Sequence, residues 1–463
     1  MYTVGDIVVE PYKFIEIKEM HISRELNETS HLSISGIVNE DYKYSDEYVE
    51  KAGTNSNIKI YVKDKNNNSI ILFYGVVVDI LLKSKSNVKT LFIEALDNTF
   101  LMDIEKKTRV FQGDNLTYNE IFSYVCSGYE NIDYINNVLG ERNAGKIVVQ
   151  FNESDKGFME RLVSHFNKQI ADECRIDGIK FYIGQGERFE VKELDEFDYS
   201  ATKSLREYER KCAALNEEFN EFDFIDYEIT TYKLLGLNDA VRFKGKNLRI
   251  YKCEMSIKDA SLINTYTLRS EEGLVVPKIN NDQIAGVSLE GSIIDSSKDV
   301  VKVSLDIETY GESVWFPYST VFSSPDGTGW YCMPENGDAV RLYFPSNVES
   351  DAYVISSVNL ESSDAEKRSD PSVKSLSTKY GKELVMRPGG IDVVSGNNCM
   401  TLDDGGGITI SSDSNLTLTG TNITIDGKNV EVSADEKILL SKQSTSIEIT
   451  ENITMAADKI NTQ

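Results

Sequence analysis

From the start of the chain to about Glu272, alternating stretches are interleaved with stretches of helical period. His31-Leu-Ser-Ile-Ser-Gly-Ile-Val38, Ile58-Lys-Ile-Tyr-Val62 and Thr90-Leu-Phe-Ile-Glu-Ala95 place apolar side chains at nearly every second position, which predicts half-buried strands. Asn66-Asn67-Asn68 is a turn signal, so residues 58–78 predict a hairpin. Leu116, Ile121, Phe122 and Val125 are spaced for one helix over Asn115–Cys126. A second helix follows Asn152-Glu-Ser-Asp155, with Phe158, Leu162 and Phe166 on one face. Strand signals return over Asp239–Tyr251 and Thr265–Leu268.

Residues 278–360 carry only strand and turn signals. Val300-Val-Lys-Val-Ser-Leu-Asp-Ile307 alternates cleanly, and Pro325-Asp-Gly327 and Glu335-Asn-Gly-Asp338 are turn sequences. Five or so short strands in a segment of this length predict a small Greek-key barrel of the OB type. From Gly381 to Gln463 the pattern changes again, with no aromatic residue and a single proline. Apolar-x-apolar pairs replace longer runs: Ile391/Val393, Met400/Leu402, Ile408/Ile410, Leu416/Leu418, Ile423/Ile425, Val430/Val432, Ile438/Leu440, Ile447/Ile449 and Ile453/Met455. From Ile408 to Ile460 the first members are 8, 7, 7, 8, 9, 6 and 7 residues apart. Each unit buries a narrow strip and stacks on the next, as in a solenoid. A parallel β-helix of one chain needs rungs of about 20 residues or more, so the short repeat favours an intertwined trimeric prism.

The 463 residues exceed what one core fills and suit two to four domains. No stretch is apolar enough to span a bilayer as a helix: Ile70–Leu82 is interrupted by Gly75 and Asp79. The first ten residues lack the basic n-region of a signal peptide. A formal charge of −26 disfavours nucleic acid and anionic lipid as partners. The six cysteines are scattered without a CxxC pair, which predicts free thiols and a reducing compartment. His21, His31 and His165 are the only histidines, too few for a histidine-based metal or acid–base site. The Asn-x-Ser/Thr sequons at Asn27, Asn415, Asn422 and Asn452 read as chance matches.

Two longer motifs carry a resemblance. Trp330-Tyr-Cys-Met-Pro-Glu-Asn-Gly-Asp-Ala-Val-Arg-Leu-Tyr-Phe344, followed by Asp351-Ala-Tyr-Val-Ile-Ser-Ser-Val358, resembles the OB-fold signature of VgrG and phage baseplate spike proteins. Ser356 stands where that family more often has glycine. Val149-Gln-Phe-Asn-Glu-Ser-Asp-Lys-Gly-Phe-Met-Glu-Arg-Leu162 resembles the same family's hub signature, with Gly178-Ile-Lys-Phe-Tyr182 as a displaced return strand. Leu402-Asp-Asp-Gly-Gly-Gly-Ile408 resembles the spike's entry into its needle. The resemblance implies a mainly β chain with some α. Its expected parts are a hub of two barrel-like subdomains with a helical insert over 1–275, an OB domain over 276–360, a linker over 361–380 and a triple-stranded β-helix needle over 381–463.

In this reading the singled-out residues are structural. Glu153, Ser154, Asp155, Phe158 and Leu162 mark the hub, with Ser and Asp as helix-capping types rather than an acid–base pair. Trp330, Pro334, Gly337, Asp338 and Val340 mark the OB fold, with Gly337 supplying a positive φ. Ile408, Ile410, Leu416, Leu418, Ile423, Ile425, Val430, Val432, Ile438, Leu440, Ile447 and Ile449 form the needle core. Asp403-Asp404-Gly-Gly-Gly407 lacks the spacing of a calcium loop and reads as a corner. Some family members hold iron near the needle apex through a His-x-His repeat; no histidine follows His165, so no cofactor or metal is implied. The resemblance implies no catalysis but a piercing role in a contractile injection system: a phage tail, a tailocin, type VI secretion or an extracellular injection system. It further implies a homotrimer, partners in the tail tube and baseplate, and a PAAR-like tip protein or effector on the blunt end at Lys459–Gln463. Assembly in the bacterial cytoplasm and no stable membrane insertion belong to the same expectation. A tail-associated peptidoglycan hydrolase and a trimeric host-surface adhesin are the alternatives.

Overall fold

A computed structural model describes residues 1–449 apart from 39–45, 65, 87, 185–190, 197, 358–363 and 365. The chain divides into two compact units, Met1–Leu360 and Glu361–Gln463. Strands outnumber helices among the described residues, and the longest helix among them has 11 residues.

The first unit is organised by a twelve-stranded sheet. Its N-terminal half pairs Ile7–Glu10, Asn57–Lys63, Ser69–Lys85, Val88–Asp97, His31–Val38 and Phe14–Glu25 in that spatial order. Phe14–Glu25 then pairs with Lys246–Lys258, which carries the sheet on into Ser261–Arg269, Ile225–Thr231 and Tyr199–Lys203. Alternation of apolar and polar residues gives each strand one buried face; in Asn57–Lys63 these are Ile58, Ile60 and Val62. Register shifts at Ile60/Tyr61, Val77/Asp79 and Ile250/Lys252 bend the strands, and the curved sheet encloses two separate cores. One gathers Ile22, Leu32, Phe73 and Ile93; the other gathers Ile229, Val241, Phe243 and Tyr266.

A helical layer is inserted into this sheet. The helix Tyr118–Cys126 starts at a capping box formed by Thr117 and Glu120. The helix Asp155–Ser164 starts at Ser154, whose hydroxyl accepts from the Gly157 N–H. Both pack Phe122, Phe158 and Leu162 against Phe111 and Phe181. The return strand is Ile179–Ile183.

Residues 288–355 form a five-stranded sheet in the order Trp315–Pro317, Val300–Leu305, Ser288–Ser297, Ala339–Tyr343, Tyr353–Ile355. Its two edges meet where Tyr318 bridges to Val354 in parallel and the Ser319 N–H donates to the Val354 carbonyl at 2.8 Å. That contact closes a small barrel around Val301, Val303, Leu342 and Val354.

In the second unit, Lys374–Thr378, Lys382–Arg387, Gly390–Ser395, Asn398–Asp403 and Gly407–Ser411 form an antiparallel meander. Residues 361–380 were expected as a linker, yet the first of these strands lies inside that span. Over 374–411 each strand finds its backbone partners within the same chain, where one strand per level of an intertwined prism was expected. The connections explain the difference. Gly381, Gly396 and Gly407 adopt positive φ and let the chain reverse after a few residues, which makes neighbours in sequence neighbours in space. Residues 412–437 hold no strand, and Ile438–Lys442 pairs with Thr445–Ile449.

Candidate functional site: a buried polar node and an uncovered apolar strip

The strand Ile147–Ser154 runs directly into the helix Asp155–Ser164, and a dense polar node forms at the junction. Gln150 is fully buried; its carbonyl accepts from Arg109 Nε at 2.9 Å and Nη2 at 2.6 Å. Its amide donates to the Glu153 carbonyl and to Asp155 Oδ1. Asp155 also accepts from Lys107 Nζ at 2.8 Å and Tyr129 Oη at 2.6 Å, and pairs with Arg109. Burial alone would raise this carboxyl, but those hydrogen bonds and the guanidinium charge hold it below its ordinary value. Tyr129 is correspondingly pushed up by burial and by the carboxylate. A carboxylate held by this many donors is a fixed anion, poorly suited to carrying protons.

Glu153 occupies the strand side of the junction. Arg161, one face along the helix, donates to both its oxygens, from Nε at 2.9 Å and from Nη2 at 3.0 Å. Ser154 donates to Asp103 as well as capping the helix. Phe158 and Leu162 lie in the core, and Phe158 stacks on Phe111 with ring centroids 5.5 Å apart. The sequence marked Ser154 and Asp155 as helix-start residues, and both sit in that place. It did not single out Arg109, Arg161 or Glu349, which come from distant segments or from unremarkable positions in the motif. Arg161 Nη1 reaches Glu349 Oε1 at 3.3 Å across 188 residues of chain, a pairing that no local pattern encodes.

The other marked residues are placed less uniformly. In the barrel, Val340 is buried and Gly337 has φ 92°, followed by Asp338, whose side chain accepts from the Glu335 N–H. The Pro334 carbonyl accepts from Ser296 Oγ at 2.8 Å. Trp330 is 57 % exposed and lies outside the barrel core, on an excursion that lines an open groove of about 990 Å³ with Phe322 and Tyr331.

The needle residues share one property. Ile408, Ile410, Leu416, Leu418, Ile423, Ile425, Val430, Val432, Leu440 and Ile447 are each 51–71 % exposed in the single chain. Ile438 is half-buried; the side chain of Ile449, and Ile453 and Met455, lie outside the described residues. Within the meander the register puts the apolar residues on one face. Leu376, Leu384, Val393, Met400 and Ile410 form one cross-strand row, and Met386, Ile391, Leu402 and Ile408 the next. The opposite face is polar: Arg387 donates to Asp392 at 2.9 Å, and Thr401 donates to the same carboxylate at 2.8 Å. A sheet with one apolar face left open in this way marks an interaction surface. No group of His, Cys, Asp and Glu suited to a metal ion occurs among the described residues, and no helix there is long and apolar enough to cross a membrane.

No protein-family profile and no curated protein matches the sequence. Solved structures match its fold. A chain of the Francisella PdpA–VgrG complex in its half-lidded form superposes with a TM-score of 0.57 at 11% identity, over 88% of this chain and 87% of that one. The lidless form of the complex gives 0.54 at 10% identity, over 85% and 93%. The Escherichia coli protein c3393, a component of the type VI secretion system with structural similarity to the bacteriophage T4 tail proteins gp27 and gp5, gives 0.54 at 13% identity, over 75% and 98%. The chain therefore has the β-rich fold of VgrG and phage tail proteins.

Proposed function

We propose that this chain is the central spike of a contractile injection system, a VgrG-like structural protein that caps the tail tube and pierces a target envelope. Fold alone does not fix function, so the reading rests on a feature of the chain itself. That feature is the apolar face of the meander from Leu376 to Ile410, together with the exposed apolar pairs that follow it as far as Ile447, all left uncovered by one chain. Three copies that wrap their strips together bury it and remove the strand edges, giving a stiff homotrimeric needle over 381–463. Residues 1–275 then form the hub on the tube, and 276–360 the OB domain. The natural partners are the tube and baseplate proteins, with a PAAR-like tip protein or effector covering the needle end.

The proposed role is mechanical, with no catalysis. Glu153 and Asp155, the carboxylates nearest in kind to an acid–base pair, are each held by charged donors. The test is deletion of the gene in the bacterium that encodes it, with electron microscopy of the particles produced. Sheathed particles should be absent or lack their central spike, and Ile408→Asp should fail to restore them. Normal spiked particles without the gene, or clearing of peptidoglycan by the purified chain alone, would overturn the reading.

A further inference from the structure

The strand Ile147–Ser154 belongs to two cores at once. Val148 packs with Phe111, Phe158 and Leu162 under the helices, whereas Ile147, Val149 and Phe151 turn the other way and pack with Val301, Val303, Leu342 and Val354 of the barrel. Val110 on the neighbouring strand joins the barrel side as well, and Thr309–Gly311 from the barrel pairs in parallel with Val110, Phe111 and Gln112. The barrel core is thus completed by strands of the hub. Apolar contact of this kind is strong but non-directional, so it resists separation better than it resists sliding.

Direction is supplied by polar contacts along the same seam. Asn167 Nδ2 donates to the Val276 carbonyl, the Ile279 N–H donates to Ser164 Oγ, and Asn281 Nδ2 donates to the Phe151 carbonyl. Asn152 Nδ2 donates to Gln283 Oε1. At the centre sits Arg161, almost wholly buried. Its guanidinium holds Glu153 from two nitrogens, donates to the Val149 carbonyl at 2.7 Å, and reaches Glu349 of the barrel. Glu349 in turn accepts from the Val149 N–H at 3.1 Å, so strand, helix and barrel meet at one residue pair. His165, one turn further along the helix, is held down to about 4 by burial and by Lys278 and Arg161, and so adds no second positive charge.

We infer that Arg161 is the positioning residue that locks hub and barrel into one rigid body. A planar guanidinium fork fixes the register of what it binds, which apolar packing alone does not. Loss of Arg161 leaves the half-buried carboxylates of Glu153 and Glu349 without their shared cation, and the seam opens. That contraction force crosses this joint rests on the spike reading; the lock itself does not.

The experiment is limited trypsin digestion of the full chain, reading cleavage at Lys278, which is exposed in the segment between hub and barrel. Loss of one buried charge-assisted hydrogen bond raises the opening constant about tenfold or more, so Arg161→Met should speed that cut by about this factor. Glu349→Ala approaches the lock from the barrel side and should act in the same direction, which keeps the test usable if the arginine variant does not fold. Lys156→Met is the control. This lysine lies on the same helix but faces Asp172 and Thr99, away from the barrel. It should lower the unfolding temperature without accelerating cleavage at Lys278. Wild-type cleavage in both lock variants, or equal acceleration in the control, would overturn the assignment.

Discussion

At the scale of single residues, two positions carry strain that the sequence hinted at or concealed. Ser356 adopts φ 41°, in the left-handed region where a Cβ is unfavourable. It is also the position where the resemblance leads one to expect glycine. Ser356→Gly should therefore stabilise the barrel by about 0.5–1 kcal/mol, read as a higher denaturation midpoint. Glu160 is the concealed case. Its Oε1 has no hydrogen-bond donor in reach among the described residues, and Lys156 stands 3.9 Å away. Burial first, then the carboxylates of Asp172 and Asp103, push it up to about 8 against the pull of Lys156. A folded value above the ordinary one means stability that is complete below about pH 4.5 and lost as pH rises through about 8. Glu160→Gln should flatten this slope, raising the unfolding temperature at pH 9 and leaving it unchanged at pH 5. Asp172, pushed up to about 6 mainly by burial, leaves a smaller slope of the same sign. Equal effects of the substitution at both pH values would show that Glu160 does not titrate in this range. The helix start at Ser154 was legible because capping is local. The partners of Asp155 and Arg161 were not, because Arg109 and Glu349 approach from other elements.

At the scale of elements, alternation announced where strands lie but not what they pair with. Ile58 to Val62 and Val300 to Leu305 form strands as their pattern requires, since period two is a property of the segment itself. The join of Phe14–Glu25 to Lys246–Lys258 brings together segments more than 200 residues apart and leaves no trace in either one. The meander makes the same point at short range. Its apolar pairs were visible, whereas the choice of the neighbouring strand as partner depends on glycine turns such as Gly396. The register now gives a sharper test of the strip than sequence did. Val393 lies in the apolar row with Leu384 and Met400; Val394 points to the polar face with Glu383 and Cys399. Val393→Asp should abolish association of the chain, because an unpaired carboxylate in an apolar contact costs several kcal/mol. Val394→Asp, on the half-buried polar face, should change assembly far less than Val393→Asp. Analytical ultracentrifugation of the two variants decides, and equal behaviour would remove the strip as the contact surface.

For the whole molecule, two features pull against each other. The chain carries a formal charge of −26, so copies brought side by side repel. The uncovered strip, by contrast, gains by association and is indifferent to charge. If the strip holds three copies together, added salt should strengthen the assembly, since the Debye length falls from about 30 Å at 0.01 M to about 8 Å at 0.15 M and the repulsion is screened. An assembly held by ion pairs across the interface responds in the opposite sense, because the same screening weakens its attractions. Sedimentation of the full chain at low and at physiological ionic strength separates the two. The expected result is a trimer at physiological ionic strength, with any dissociation confined to low salt and low protein concentration. Dissociation on adding salt would assign the contact to charged residues and leave the apolar strip without a partner. On the spike reading, a needle that holds its shape while driven through an envelope would need the first kind of contact, which screening by salt does not weaken.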